Sequence, residues 1–422
     1  MTGKAERAPH PIPPHTGTYR SIRADPRLVR HLLIYDKMLF TLTLILALAA
    51  FAADGFHLRR QLRRGTCPRR AFVAWAMATD SLPLISSLIG ALSPDNTTPM
   101  MHLYMWLFWA WIITVLPRLL YYVFHFLKLR RTGLVLAAVF TLYLCWGTTF
   151  GRTTIRVNRV EIRSDRIPGA FDGYRFVQFS DAHVGSLVCP ERELTRLADT
   201  INALEADAVF FTGDLVNIRA EELDDRTTGL LKRIKAPVWS VTGNHDTGTY
   251  IKDTITWPIA DEGRRVVERQ RAMGWQVLVD TTVYLRRGGD SISLTGISFD
   301  PALRERRHDR HLPADNLPEI YAGVPASLYN ITLVHVPQLW ELVTAAGYGD
   351  LTLSGHVHAM QMRFRPWGRG WSPAAWLYSH WSGRYDEGRH TLYVNDGTGY
   401  VAYPMRLGAW PEVTLFTLKR CE

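Results

Sequence analysis

The sequence has few cysteines and no glycine-rich nucleotide motif. Its 422 residues include four cysteines, none in a Cys-x-x-Cys pair, so neither a thiolate zinc site nor a disulfide framework is predicted. The sequence leaves open the possibility of one disulfide bond, between Cys189 and Cys421. Gly397 and Gly399 lack the third glycine and the following helix of a dinucleotide-binding turn, so we expect no such cofactor.

Acidic residues are scarce in the first third of the chain. Residues 1–150 hold 17 Lys and Arg against 6 Asp and Glu, whereas residues 151–422 hold 32 against 33. The formal net charge of +10 therefore comes entirely from the first part. A nucleic-acid-binding domain carries its basic excess on the domain itself. We therefore expect no nucleic-acid partner and attribute the basic residues to membrane topology.

Charges are also rare in four apolar segments, which predict about four membrane helices and a lipid bilayer as partner. The segments are Leu32–Ala53, Ala71–Leu92, Met100–Leu127 and Gly133–Phe150. Asp80 and Arg118 lie inside two of them. Because an ionisable group is costly in lipid, we expect both to face other helices and to pair. A transport or relay role is the alternative, but the chain lacks the repeats and Gly-broken segments typical of transporters.

These observations divide the chain into three parts. Residues 1–31 are predicted to be a flexible basic tail, residues 32–150 a transmembrane anchor, and residues 151–422 a folded domain. In the folded domain, a β-α-β-α-β run is followed by three hairpin-like strands between residues 275 and 296. With the later strands, this predicts an α/β fold of two packed sheets flanked by helices.

Five short polar motifs follow strand-like runs in the folded domain. They are Asp181-Ala-His183, Gly213-Asp214-Leu-Val-Asn217, Gly243-Asn244-His245-Asp246, His335 and Gly355-His356-Val-His358. The strands of open α/β folds present their sites along one edge of a sheet, so we expect these carboxylate, amide and imidazole groups to converge. Oxygen and nitrogen donors in this number predict a metal site.

The order of the five motifs resembles the signature of the calcineurin-like metallophosphoesterases. The final run, residues 393–420, looks like the end of the membrane-anchored branch of that family. The resemblance covers residues 153–420 and implies a four-layer α-β-β-α sandwich. It also implies two divalent metal ions, one held by Asp181, His183, Asp214 and His358, the other by Asp214, Asn244, His335 and His356. His245 would donate a proton near the leaving group, and Asp246 would orient it.

By this resemblance the chain is a metal-dependent phosphoric ester hydrolase. It would cleave a phosphomonoester, phosphodiester or pyrophosphate with a metal-activated water, using Mn²⁺, Fe²⁺ or Zn²⁺. A lipid-linked substrate is plausible because the domain is tethered beside the bilayer. The alternative is a non-catalytic metal-binding scaffold or sensor on the same fold. One departure is that Ala359 and Met360 stand where the family often has two glycines.

Residues 364–385 contain more Trp and Tyr than a surface loop requires. Core packing is one interpretation. A flap that faces the substrate or the membrane is the other, because Trp and Tyr favour the lipid interface and also pack over apolar ligand parts. His308 and His311 lie in an Arg-rich loop with no strand before them, and we expect them to be solvated.

The loops between the apolar segments predict the orientation in the membrane. Arginines and a lysine cluster between the first and second segments and between the third and fourth, whereas residues 93–99 contain no basic residue. By the positive-inside rule, the two basic loops are cytoplasmic and the folded domain is outside, on the periplasmic side of a bacterial inner membrane. The basic tail, by contrast, favours a cytoplasmic N-terminus. Omitting the second segment would leave an odd number of spans and place the two termini on opposite sides of the membrane.

Overall fold

The computed structural model describes residues 26–67, 69–93, 95–252, 259–299, 317–365 and 370–421, and the backbone alone within residues 26–43 and 259–260. Residues 1–25 of the predicted tail lie outside the described residues, as do His308, His311 and Trp367. All four cysteines are free, so the open possibility of a bridge between Cys189 and Cys421 is not realised.

The described residues form ten α-helices and twelve β-strands. The helices are α1 (Pro26–Arg63), α2 (Arg70–Asp80), α3 (Leu82–Leu92), α4 (Thr98–Phe126), α5 (Arg130–Thr149), α6 (Pro190–Asn202), α7 (Asp225–Leu231), α8 (Ile259–Ala272), α9 (Leu317–Ile320) and α10 (Trp340–Ala345). The strands are β1 (Arg156–Ser164), β2 (Arg175–Phe179), β3 (Ala208–Phe211), β4 (Val238–Ser240), β5 (Gln276–Val277), β6 (Thr281–Arg287), β7 (Asp290–Ile297), β8 (Asn330–Val334), β9 (Leu351–Ser354), β10 (Gly383–Glu387), β11 (His390–Val394) and β12 (Glu412–Arg420).

Helices α1 to α5 form the anchor, and a buried ion-pair network joins three of them. Arg118 of α4 lies 3.0 Å from Asp54 of α1 and also contacts Asp80 of α2. All three side chains are buried. Burying one of these charges alone would be costly, so each needs the others. The prediction that Asp80 and Arg118 face other helices and pair is confirmed.

Among the described residues, two helices are long and apolar enough to cross a bilayer. They span Thr98–Phe126 and Arg130–Thr153. The pair α2 and α3, bent by 42°, makes a third candidate if it forms one broken span. The first predicted segment falls within α1, where part of the side chains are not described. The anchor therefore contains two to three apolar helices, and the count of four stays a prediction.

The C-terminal domain contains two six-stranded sheets. The first has the order β1-β12-β2-β3-β4-β5, and the second has the order β10-β11-β9-β8-β7-β6. Strands β2 to β5 are parallel, as are β7, β8, β9 and β11. One strand was predicted wrongly: β5 pairs with β4 in the first sheet, and β6 and β7 alone form the expected hairpin.

The two sheets pack face to face through a shared apolar cluster. Phe176 and Phe416 of the first sheet lie in one cluster with Leu333 and Leu353 of the second. The other face of the first sheet packs against α6 and α8, and that of the second against α9 and α10. Strands β3, β8 and β9 are buried at every residue, which explains their continuous apolar sequences. The predicted α/β class is confirmed.

The anchor and the C-terminal domain also pack against each other. Met405 and Leu407 of the domain lie in one buried cluster with Val115 of α4 and Leu144 of α5. A Cβ atom at Gly151, just after α5, would lie 2.2 Å from the Arg406 backbone oxygen, so only glycine permits this approach. The domain is therefore seated on the anchor helices as well as joined to them by the chain.

Candidate metal centre

The five motifs lie at the carboxyl ends of five parallel-paired strands. Strands β2, β3 and β4 of the first sheet and β8 and β9 of the second each end directly before one motif. Because parallel strands end at the same edge, the motifs of each sheet meet there. The structure thus brings together all seven predicted ligands, which are Asp181, His183, Asp214, Asn244, His335, His356 and His358. That they bind metal stays a prediction.

One group of donors consists of Asp181, His183 and His358. The His358 Nε2 atom lies 3.0 Å from Asp181 Oδ1 and 3.1 Å from His183 Nε2. The three donor atoms lie within 4.8 Å of one another. Nitrogen and oxygen atoms that converge at this separation can coordinate a single ion at about 2.0–2.2 Å each.

A second group consists of Asp214, His335 and His356, with Asn244 beside them. The Asn244 Oδ1 atom lies 3.0 Å from His335 Nε2 and 2.8 Å from His356 Nδ1. Asp214 Oδ2 lies 3.0 Å from His335 Nε2 and 3.7 Å from His183 Nε2 of the first group. Asp214 therefore stands between the two groups, where a bridging ligand would be.

The backbone at the site is held in an uncommon conformation. Five predicted ligands have positive φ angles, which cost energy in non-glycine residues and gather at functional sites. They are Asp181, His183, Asp214, His356 and His358, with φ between 41° and 74°. Gly243 is required for a different reason, because a Cβ atom there would lie 2.1 Å from Asp214 Oδ1.

The charges at the site suit a cation. Burial alone raises the pKa values of Asp181 and Asp214, but nearby histidines outweigh burial and hold both pKa values well below the usual range. Burial, assisted by His245, lowers the pKa of His183 well below its ordinary value. Burial also lowers the pKa of His335, but Asp214 outweighs it and raises that pKa to about 9. Ionised carboxylates and neutral imidazoles are the forms that bind metal, so a bound ion would displace the His335 proton.

His245 lies beside the first group of donors. Its ring packs edge-on against the His183 ring, with 4.6 Å between centroids. Its Nδ1 atom lies 2.5 Å from the backbone oxygen of Asn217. Because a carbonyl oxygen can only accept, Nδ1 must carry the hydrogen, and Nε2 is the atom left to exchange a proton.

Asp246 is buried and binds the backbone of two loops at the site. Its carboxylate accepts hydrogen bonds from four backbone N–H groups, those of Gly243, Asp214, Leu215 and Val216. Burial and Asp214 raise the pKa of Asp246 to about 7, while the backbone donors act in the opposite direction. The structure shows the Asn217 carbonyl bonded to the His245 ring, and the role of Asp246 in orienting His245 stays a prediction. Asp246 ties the loop after β4 to the loop after β3, which carries Asp214.

Two residues at the site were missed in the sequence. Arg406 is fully buried, donates to the backbone oxygens of Gly399 and Ala409, and places Nη2 3.2 Å from His358 Nδ1. Burial lowers the pKa of Arg406 to about 10, which leaves it charged at neutral pH. Tyr250 stacks on His245, with 4.2 Å between ring centroids. No motif or spacing distinguished either residue.

Comparison with known proteins identifies the family. A profile described as calcineurin-like phosphoesterase matches residues 174–360. The uncharacterized metallophosphoesterase YkuE of Bacillus subtilis (strain 168) is 32% identical over 263 residues, which cover 61% of this chain and 83% of that protein. This chain belongs to the calcineurin-like metallophosphoesterase family. The resemblance seen in the motifs is confirmed.

Other relatives of this metallophosphoesterase are named as transmembrane proteins. A transmembrane protein with metallophosphoesterase domain from Danio rerio is 28% identical over 295 residues, covering 68% of this chain and 62% of that protein. Together with the apolar helices, this shows a membrane-associated protein. Among solved structures, a phosphopantetheinyl hydrolase (PptH) from Mycobacterium tuberculosis aligns over 55% of this chain and 91% of that chain at 13% identity and a TM-score of 0.33, too low to carry an argument.

Family membership and the Asp and His donor groups indicate that this metallophosphoesterase binds a divalent metal; besides the two groups described, His183, Asp214 and His245 form a third whose donor atoms lie within 4.8 Å of one another. The donors are carboxylate, amide and imidazole, a set that fits such ions without thiolate. Ala359 and Met360, which replace two glycines often found in the family, have φ angles of 47° and 46°. The backbone keeps a left-handed turn that glycine would adopt at lower cost.

Proposed function

We propose that this metallophosphoesterase is a membrane-anchored hydrolase that uses two divalent metal ions to cleave a phosphoester or pyrophosphate bond of a lipid-linked substrate. The position of Asp214 between two groups of donors carries the proposal of two ions. Such ions would activate a water molecule and neutralise charge on the phosphoryl oxygens.

The protein's own residues would position the metal ligands and transfer the proton. Asp214 Oδ1 accepts a hydrogen bond from the backbone N–H of His245, which ties the shared ligand to the proton donor. The Asn217 carbonyl fixes the ring and occupies the Nδ1–H, so the proton that goes to the leaving group is the second one, carried on Nε2 by the imidazolium form of His245. The Arg406 guanidinium contacts His358 Nδ1, on the side of the ring away from the other donors, and limits movement of that ring.

The lipid-linked substrate is inferred from what we call the aromatic hairpin, residues 364–365 and 370–378. Phe364 and Trp371 form a β-bridge, and Trp376, with 76% of its surface exposed, packs edge-on against Trp371. At the end of the hairpin, the Tyr378 ring lies 6.0 Å from that of His356. By contrast, Trp381 is buried in the core. Core packing therefore describes Trp381, and we assign the substrate-facing role to the exposed aromatic hairpin.

The aromatic hairpin also lies beside the membrane anchor. Met362, just before it, bridges to Leu407, which packs against α4 and α5. Exposed Trp and Phe side chains next to membrane helices are typical of the lipid interface. A substrate whose apolar part stays in the bilayer would meet the hairpin on its way to the metal ligands.

The activity is tested on the purified full-length protein with Mn²⁺, Fe²⁺ or Zn²⁺. The panels are soluble phosphomonoesters, soluble phosphodiesters and lipid pyrophosphates in micelles. We expect hydrolysis in at least one panel, two metal ions per chain by elemental analysis, and loss of activity on chelation. Absence of hydrolysis in every panel with a fully loaded protein would favour the scaffold interpretation.

Replacing Trp376 by Ala should distinguish lipid-linked from soluble substrates. We expect about a tenfold lower kcat/KM on the lipid substrate, because an exposed apolar contact of ~1–2 kcal/mol is lost, and little change on a soluble phosphoester. Tyr284→Ala, which removes an exposed aromatic ring from edge strand β6, is the control. Equal losses on both substrates with a lower Tm would show that Trp376 serves packing alone.

We also propose that the catalytic domain lies on the periplasmic side of a bacterial inner membrane. The basic loops before α2 and before α5 favour the cytoplasm. The intervening α3–α4 loop has no basic residue and contacts the catalytic domain, for example through Asn96 and the Tyr250 carbonyl. This contact supports placing loop and domain on one side of the bilayer, opposite the basic loops, as the charge pattern predicts.

Two native cysteines can test this orientation. Cys67 is exposed between α1 and α2, and Cys189 is exposed on the catalytic domain. We expect a membrane-impermeant maleimide to label a variant that keeps only Cys189 in intact cells, and to label a variant that keeps only Cys67 only after lysis. The opposite pattern would place the catalytic domain in the cytoplasm.

A further inference from the structure

The loop between α3 and α4, here called the anchor loop (residues 93 and 95–97), contacts the segment after the proton donor. Asn96 Nδ2 donates to the Tyr250 backbone oxygen at 2.5 Å, and Asn96 Oδ1 accepts from the Lys252 backbone N–H at 2.9 Å. The Lys252 side chain donates to the backbone oxygens of Gly90 and Ser93. One asparagine of the anchor thus fixes the backbone on both sides of residue 251.

The neighbouring Asp95 fixes a second segment. Its carboxylate forms a two-pronged ion pair with Arg219, with distances of 2.6 Å to Nη2 and 3.1 Å to Nη1. Arg219 is buried, and two residues before it lies Asn217, whose carbonyl accepts the His245 Nδ1–H. Bidentate pairs of this kind fix direction as well as distance.

Both segments fixed by the anchor loop, one at Tyr250 and one at Asn217, contact His245. Tyr250 stacks on its ring at 4.2 Å and an interplanar angle of 20°, and Asn217 bonds its Nδ1. The Tyr250 hydroxyl also accepts from Asn244 Nδ2 at 2.9 Å, while Asn244 Oδ1 points to His335 and His356. Two successive residues of the anchor therefore control the two contacts that orient the proton donor and steady one ligand.

We propose that Asp95 and Asn96 of the membrane anchor are positioning residues for His245, so that the catalytic site is complete only when the anchor loop is docked. The proposal rests on the proposed phosphoesterase function. It makes the anchor a part of the catalytic apparatus in addition to a tether. Small displacements of a catalytic group lower turnover strongly, so loss of one anchor contact should be visible in kcat.

Asn96→Ala in the full-length protein is the first test. We expect kcat on a soluble phosphoester to fall by about 10- to 100-fold, with KM nearly unchanged and at most a small loss of metal, because His245 loses its support and only one predicted ligand, Asn244, bonds Tyr250. The control is Trp109→Phe, which removes a hydrogen bond to Thr148 inside the anchor. A similar fall in both variants would indicate general loosening of the anchor and overturn the proposal.

A double-mutant cycle tests whether Asn96 affects kcat through Tyr250. If Asn96 acts through Tyr250, Asn96→Ala should cause little further loss of kcat in a Tyr250→Ala background, because the route is already broken. Independent losses that multiply would show that Asn96 does not act through Tyr250, and would overturn the proposal.

Hydrogen exchange gives a readout that does not depend on activity. In Asn96→Ala, the backbone amides of residues 244–252 should exchange faster than in the wild type, while those of α4 and α5 should not change. Unchanged exchange at residues 244–252 would overturn the proposed positioning. Wild-type protein that hydrolyses no phosphoester would contradict the proposed function instead, and the exchange result would still decide whether the anchor loop orders this segment.

Discussion

Asp214→Ala should remove nearly all activity together with much of the bound metal. Asp214 lies between the two groups of donors, so its loss deprives both ions of one ligand. We expect kcat/KM to fall by at least about 10³-fold, which corresponds to roughly 4 kcal/mol of transition-state stabilisation. Metal content is measured by elemental analysis beside the kinetics.

Asp214→Asn serves as the matched variant because it keeps the size of the side chain and an acceptor for the His245 N–H, but not the charge. We expect metal content between those of the wild type and Asp214→Ala. Retention of two ions and full activity in Asp214→Ala would refute a shared ligand at this position.

His245→Ala should separate chemistry from metal binding. His245 is placed beside the donors, with Nδ1 on the Asn217 carbonyl, and is not among the predicted ligands. Loss of a general acid typically costs about 10²- to 10⁴-fold in rate, so we expect kcat to fall by this amount with metal content unchanged. Single-turnover kinetics with metal-loaded protein provide the measurement.

The control for His245 is His390→Ala. His390 also bonds a backbone oxygen through Nδ1, that of Gly349, but it is the first residue of β11, at the opposite end of the strand from the site. We expect near wild-type kcat in this variant. If His245→Ala lost its metals as well, His245 would be a ligand and the proton-donor assignment would fail.

In our proposals the anchor contributes to the site as well as holding the domain at the membrane. The aromatic hairpin contacts the site directly, through Tyr378 at His356, and the anchor loop reaches it indirectly, because Asn96 bonds Tyr250, which stacks on His245. The aromatic hairpin also adjoins the anchor helices, through Met362 and Leu407. Substrate access and alignment of the proton donor are therefore linked to the same membrane-associated surface in our proposals.

Much of the fold and the whole candidate ligand set followed from the sequence. The reason is local: buried parallel strands have continuous apolar sequences, and a polar motif directly after such a strand must lie at the sheet edge. Asp181 after β2 and His356 after β9 are examples. The pairing of Asp80 with Arg118 was predictable for a similar reason, because a charge in an apolar helix requires a partner.

Only the tertiary structure decided which groups hold the predicted ligands and the predicted proton donor in place. Asp246 binds four backbone N–H groups and Asn217 acts through its carbonyl, and backbone groups are the same in every residue and leave no sequence signal. The contact between Asn96 and Tyr250 joins residues 154 positions apart. Neither side chain belongs to a motif, so their meeting depends on how the anchor helices pack on the catalytic domain. The sequence determined the candidate ligands of the site, and the packing of distant segments determined how the predicted proton donor is held.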